Sequence, residues 1–378
     1  MTMQFQTLCI EVADREISPD THEMTRRTPL RAFIAPAAAA VFAALALSPL
    51  PAAAQSAAGQ SAVIVNYERF AESGYADASV RAEQFEAHVK TLSSGRYAVR
   101  PVAEIAETLF SGGTLSNRTV GIAVDKGYRS FIDFAWPRLK AAGLPVTLFV
   151  ATDPLDKSWP GYVTWDEVRG LRDAGVAIGL TGASERSLVS MTAEERRDDL
   201  ARAVARYRAE LGQTPTLYAY PLGEMSMAAA ESVKAAGFQF GFGLHSGAVN
   251  ATQNRMFLPR YAITEGFAGE SEFAMRLDSM GLPMAAIEPA DPYLVGANPP
   301  DILLTLDSSL GRIAKPTCFH SQSGGGSGEA SVEEAGENRY RIVFANRFRP
   351  GAWRLNCTMP TGGKRWRWFG MQFFTAGG

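Results

Sequence analysis

The stretch AVDKGYRSF, residues 123–131, holds the side chain best placed to do chemistry. An apolar run reaches Asp125, turns through Gly127 and enters a helical pattern, which is how an α/β protein presents a carboxylate at the end of a strand. A carboxylate so placed serves as a general base. Its neighbour is the oddity: Lys126 puts an ammonium where a second acid or a metal ligand would extend that chemistry.

Other reactive residues are sparse. The chain has four histidines, His22, His88, His245 and His320, and three cysteines, Cys9, Cys318 and Cys357. In an exported chain Cys318 and Cys357 are expected to form a disulfide joining two strands. A zinc pair is the alternative, with His320 as the one further ligand nearby. GFGLHSG has the glycine spacing of a loose dinucleotide fingerprint, but it comes late and no amphipathic helix follows it. No G-x-S-x-G elbow occurs, which removes the obvious serine-hydrolase route. With 37 basic against 39 acidic residues, the chain offers no electrostatic case for nucleic acid or anionic lipid as its main partner.

The elements that must position Asp125 follow a repeating pattern. AVIVNY (62–67), TVGIAV (119–124), PVTLFVA, VAIGL (176–180), TLYAY (216–220) and FQFGFGL read as strands, and helical patterns separate them. In VRAEQFEAHVKTL the apolar face falls on Phe85, Val89 and Leu92. Two helices open with capping boxes, Thr164 with Glu167 and Thr192 with Glu195, and close on glycine. Residues 55–285 therefore read as one α/β domain. PADPYLVGANPPD reads as a Pro-rich linker, placed at 286–297. Residues 298–378, which alternate in period two around SQSGGGSGE, read as a small β-sandwich.

Residues 1–54 read as an upstream segment and a cleaved signal peptide. A basic start precedes an apolar stretch from Ala32 to Leu50, with small residues at Ala52 and Ala54. Met24 is the expected true start, and Arg26-Arg27 gives a weak hint of twin-arginine export. The mature protein is then expected in the periplasm or outside the cell, with no membrane span once the signal is removed.

Several motifs carry a family resemblance. VGIAVDKGYRSFIDFAWPRLKAAGLPVTLFVATDP, AIGLTGASERSL, YAYPLGEMS, GFGLHSG and LPRYAI resemble the successive motifs of the polysaccharide deacetylases, the NodB-homology family or carbohydrate esterase family four. The resemblance spans about residues 60–270. The C-terminal stretch, with CFHSQ and RLNCTMP, is similar to the accessory domain of an exported bacterial subgroup. It implies a distorted (β/α) barrel followed by the β-sandwich, with the site at the C-terminal strand ends. The implied partner is a polysaccharide containing N-acetylated amino sugars. The implied chemistry is metal-assisted: a divalent ion such as zinc polarises the amide and acidifies a water, while an aspartate takes the proton.

The sequence departs from that pattern at each metal ligand. Asp125 matches the base, but Lys126 replaces the ligating aspartate, and Thr181 and Glu185 stand where two histidines belong. Glu68 replaces a histidine of the first-strand motif, here YERF. No bound metal is therefore expected. An Asp125–Lys126–Glu185 ionic cluster is expected in the metal's place. Tyr128 and the loop Tyr220-Pro221-Leu222-Gly223 are implied sugar contacts, and His245 an implied acid or hydrogen-bond donor. Trp165, Trp366 and Trp368 are either sugar-stacking residues or core. Three readings stay open. One is an impaired or non-catalytic family member that binds glycan; the second is an active N-deacetylase using Asp125 with Lys126 or His245, or a non-standard metal site built from Asp125, Glu185 and Glu68; in the third the β-sandwich is the working part and the barrel an inert scaffold.

Overall fold

The computed structural model describes residues 60–311, 314–322, 326–361 and 363–376, so the expected signal peptide, Cys9 and His22 lie outside the described residues. Among the described residues no helix is long and apolar enough to cross a membrane.

Eight strands build the first sheet: β1 Ala62–Tyr67, β2 Ala98–Val99, β3 Thr119–Lys126, β4 Thr147–Val150, β5 Ala177–Leu180, β6 Leu217–Ala219, β7 Phe240–Phe242 and β8 Tyr261–Ala262. Their order is β8-β1-β3-β4-β5-β6-β7, with β2 also on β3. Every pairing is parallel. Such strands are covered on both faces, which is why β1 is buried throughout and its sequence is an unbroken apolar run up to Asn66. The sheet closes through residues 255–262. Leu258 exchanges backbone hydrogen bonds with Gly241 and Gly243 beside β7, and three residues later Tyr261 pairs with β1. This is the incomplete (β/α) barrel expected from the motifs.

Helices α1 Ala82–Leu92, α2 Val102–Phe110, α3 Trp136–Ala141, α4 Thr152–Asp156, α5 Trp165–Asp173, α6 Ala193–Leu211, α7 Met227–Ala235 and α8 Glu270–Leu277 accompany the strands. Both expected capping boxes form, at the starts of α5 and α6. In α1 the buried face is Phe85, His88 and Leu92 rather than Val89. His88 is accepted there because Tyr67 Oη lies 3.0 Å from its Nδ1 and the Ala268 carbonyl 3.0 Å from its Nε2.

The second sheet comprises β9 Met280–Gly281, β10 Met284–Glu288, β11 Tyr293–Leu294, β12 Ile302–Leu306, β13 Thr317–Gln322, β14 Gly326–Gly336, β15 Arg339–Val343, β16 Gly351–Pro360 and β17 Trp366–Thr375. It runs β9-β17-β16-β13-β14-β15-β12-β10 and shares one core, from Leu304 and Ile342 to Trp353, Leu355 and Phe373. Residues 286–297, expected to be a linker, instead supply most of β10 and all of β11. β10 pairs antiparallel with β12, and β11 pairs with β17. Cys318 and Cys357 face each other across β13 and β16 and are bonded at 2.06 Å, so the zinc alternative does not hold there. His320 packs its ring against Phe344 and Phe348.

Barrel and β-domain belong to one compact unit, Ala53–Gly378. Trp368 settles the choice left open for it by packing edge-on against Tyr261 of the barrel at 5.5 Å. Trp165 is core, its indole donating to Asp156 at 2.6 Å, and Trp366 is exposed. Gly370 is obligatory at this seam, since a Cβ would come within 2.0 Å of the Ser246 carbonyl.

Candidate functional site

The C-terminal strand ends gather the candidate residues. β1 delivers Asn66 and Glu68, β3 delivers Asp125 and Lys126, and β5 leads into Thr181 and Glu185. β6 leads into Tyr220 and its loop, β7 into Leu244, and Arg260 immediately precedes β8. Glu68, Asp125, Lys126, Thr181, Glu185, Tyr220, Pro221, Leu222 and Leu244 line a cavity of about 50 Å³. A larger hollow of about 300 Å³ opens at the opposite ends of β5 and β6, near Tyr207 and Thr216, and contains none of these groups. In such barrels that lower face serves stability.

Asp125 is buried and fully engaged. Arg260 donates to it through both terminal nitrogens, Nη1 to Oδ1 at 2.6 Å and Nη2 to Oδ2 at 2.8 Å, and Asn66 Nδ2 adds a bond of 3.1 Å. Arg260 is 0% exposed. Its Nε donates to the Gly243 carbonyl at 3.0 Å, and Nη1 also reaches Asn66 Oδ1 at 2.8 Å. A guanidinium fork satisfies a buried carboxylate better than an ammonium does, because it fills both oxygens in one plane.

Lys126 has a different partner from the one expected. Its Nζ pairs with Glu68 Oε2 at 3.1 Å. The register explains this: β1 pairs directly with β3, Tyr67 opposite Val124, so the end of β1 sets Glu68 beside the end of β3. Burial works against the ammonium, but Glu68, with Tyr128 and Glu185 behind it, holds its pKa above the ordinary lysine value. Glu185 accepts from Tyr162 Oη at 3.1 Å instead of joining an ion pair with Lys126. Burial raises the Glu185 pKa, Lys126 and the Tyr162 hydroxyl oppose that rise, and Glu68 and Asp125 add to it. The expected Asp125–Lys126–Glu185 cluster is thus replaced by two separate pairs and a hydrogen-bonded acid.

Three atoms lining the cavity have no hydrogen-bond partner among the described residues: Thr181 Oγ1, Glu185 Oε1 and Tyr220 Oη. Three of the residues lining it also hold left-handed backbone without being glycine, Lys126 at φ 73°, Glu185 at 57° and Leu222 at 59°. Such strain costs on the order of 1–3 kcal/mol per residue and concentrates at ligand sites. Gly223 completes the loop at φ +68°, where a Cβ would lie 2.6 Å from Leu244 N. Gln372 of β17 donates to the Leu222 carbonyl at 2.9 Å, so the β-domain holds this rim from outside.

Two expected contacts sit elsewhere. His245 is buried against Phe257 and does not line the cavity; Leu244 takes that place. Burial, with Arg354 and Arg260 nearby, lowers its pKa to about 3, so it is a neutral ring and no proton donor. Tyr128 is buried beneath Arg69, whose guanidinium lies 3.4 Å from the ring centroid. Arg260, Asn66 and Tyr162 were not anticipated. A signal existed for Arg260, a charge inside the apolar run of LPRYAI.

These residues do not fit the metal that the motifs imply. An ammonium paired with Glu68 stands at one ligand position, a lone threonine hydroxyl at the second, and a half-buried carboxyl with a raised pKa at the third, while Asp125 is taken by Arg260. A divalent ion would need deprotonated N, O or S ligands around an open centre, and Lys126 puts positive charge there.

Among known proteins, residues 112–241 match the family model described as Polysaccharide deacetylase. The Bacillus subtilis protein named "Putative polysaccharide deacetylase YxkH" is 24% identical over 201 residues, 53% of this chain and 71% of its own length. The Streptococcus pyogenes deacetylase PplD, solved in complex with acetate, superimposes with a TM-score of 0.54 at 15% identity, covering 58% of this chain and 99% of that one. IcaB from Ammonifex degensii gives 0.51 at 21% identity, covering 57% and 96%. The barrel therefore has the fold of these deacetylases, and residues 112–241 within it are similar to the polysaccharide deacetylase family of the NodB type.

Proposed function

We propose that this protein is an exported member of the family that binds a polysaccharide containing N-acetylated amino sugars and does not deacetylate it by the metal-assisted route. One observation carries the reading: the Lys126 ammonium, held by Glu68 at 3.1 Å, stands where the family resemblance implies a metal-ligating aspartate. The unpartnered Thr181, Glu185 and Tyr220 atoms support the binding half, since a sugar's hydroxyl and amide groups supply the missing partners. Glu68, Lys126 and Glu185 act as positioning charges in this reading, and Asp125 keeps its place without an activated water to deprotonate.

The test is metal content of the purified protein together with acetate release from N-acetylglucosamine oligomers. Neither stoichiometric zinc nor multiple turnovers are expected, with any release at least ~10³-fold below that of a metal-assisted site. Stoichiometric zinc with turnover overturns the reading. Turnover that survives chelation also overturns it, and would assign acid–base work to Glu185 and Asp125. Combining Lys126→Asp, Thr181→His and Glu185→His is expected to create zinc binding.

A further inference from the structure

A second concentration of charge lies at the other end of β3 from Lys126, about 25 Å away along the strand. Arg118 immediately precedes β3, Arg96 lies two residues before β2, and Arg365 and Arg367 sit on either side of Trp366 at the start of β17. They gather around the end of α8, where Asp278 is the one carboxylate among their partners. Its Oδ1 accepts from Arg118 Nε at 2.9 Å, and its Oδ2 accepts from Arg96. Arg365 is held by neutral acceptors, Nε by the Asp278 carbonyl at 2.6 Å and Nη1 by Asn117 Oδ1 at 2.8 Å, and Arg367 by the Gly281 carbonyl at 3.0 Å. Burial, with Arg118 and Arg367 as like charges nearby, lowers the Arg365 pKa against the pull of Asp278. The terminal nitrogens of Arg118 have no acceptor among the described residues, and the Arg96 side chain is 53% exposed.

We infer that these arginines form a second binding site, at the lower face of the barrel, for a phosphate group. Four guanidinium groups against one carboxylate leave three positive charges, and the carbonyl end of α8 offsets only about half of one. Such an excess costs stability through self-repulsion, so a purely structural role does not account for it. The near balance of charge over the whole chain hides it. A guanidinium fork takes a phosphate through two parallel N–H donors, and a phosphate monoester brings about 1.5–2 negative charges at neutral pH. A carboxylate brings one and leaves most of the excess in place. Trp366 and Lys364, both exposed beside the arginines, offer a further contact where the phosphate belongs to a lipid headgroup.

The experiment titrates inorganic phosphate, with acetate as the control, into the full mature chain at constant ionic strength, for wild type, Arg96→Gln, Arg118→Gln and Asp278→Asn. Wild type is expected to bind phosphate and not acetate. Each arginine variant should weaken phosphate binding about tenfold, as the loss of a charge-assisted hydrogen bond does. Asp278→Asn should tighten it by about as much, because it removes the anion that competes for Arg96 and Arg118, an effect that a merely structural carboxylate would not give. No phosphate binding by wild type overturns the site. Binding unchanged in both arginine variants overturns it too, as does weaker binding by Asp278→Asn. Should Arg118→Gln or Asp278→Asn fail to fold, Arg96→Gln decides alone, since that side chain lies largely in solvent. Vesicles distinguish the source of the phosphate. Tighter binding to phosphatidylcholine vesicles containing phosphatidic acid than to free phosphate, lost in Trp366→Ala, assigns it to a lipid headgroup, and no tighter binding assigns it to the free ion or a small ester.

Discussion

Asp125 and Lys126 are consecutive, yet the two halves of the site they head are built differently. On the Asp125 side a guanidinium, a carboxylate and an amide satisfy one another completely, and Arg260 is sealed from solvent. On the Lys126 side one ion pair is only partly buried, three neighbouring polar atoms are unpartnered, and three residues hold strained backbone. Native interiors tolerate few such groups, and unsatisfied atoms gathered around one cavity mark a place kept ready for a ligand. The first half fixes the barrel's closure; the second carries a stability cost that the proposed glycan binding would explain.

The largest effect should come from the closed side. Arg260→Met strands the Asp125 carboxylate in the core and is expected to lower stability by about 3–5 kcal/mol, read by chemical denaturation. A loss near zero would mean that Asp125 reaches water and that the two halves do not differ. Next, Thr181→Val keeps the side chain's shape and removes an unpartnered hydroxyl. It should stabilise by up to about 1 kcal/mol while weakening glycan binding. Destabilisation there would place Thr181 among the satisfied groups.

The smallest effect is a pH dependence. The Glu185 carboxyl has a pKa raised above its ordinary 4.5, so it holds its proton more tightly folded than unfolded. The stability this contributes is full below about pH 4.5 and is lost as pH rises through the raised folded value. Glu185→Gln should therefore raise the melting temperature at neutral pH and leave it unchanged near pH 4, measured as melting temperature against pH. The opposite slope would show that Lys126 holds Glu185 ionised.

The barrel was legible because its strands are uninterrupted apolar runs and its helices carry capping signals such as Thr164 with Glu167. β10 was hidden because an edge strand buries little: only Met284 of Met284–Glu288 is buried, and prolines flank the stretch. Within the site, Glu68, Lys126, Thr181, Glu185 and Tyr220 come together as the motifs implied. Their pairing did not follow, because Arg260 lies 135 residues from Asp125 and meets it only when the barrel closes. His245 misled for a related reason. Its sequence neighbours do not show that the next residue inward is Phe257 and that the cavity wall is Leu244.

The bond from Gln372 to the Leu222 carbonyl gives the second domain a hold on the rim of the first domain's cavity. Leu222 is strained, exposed and held from the far side of the seam, and Tyr220, two residues earlier, supplies one of the unpartnered atoms. A glycan seated in the cavity would therefore stiffen the seam, and any tilt of the β-domain would reshape the rim. Recognition then belongs to the joint between the domains, so a barrel and a β-domain exchanged with those of a relative would have to be chosen as a pair.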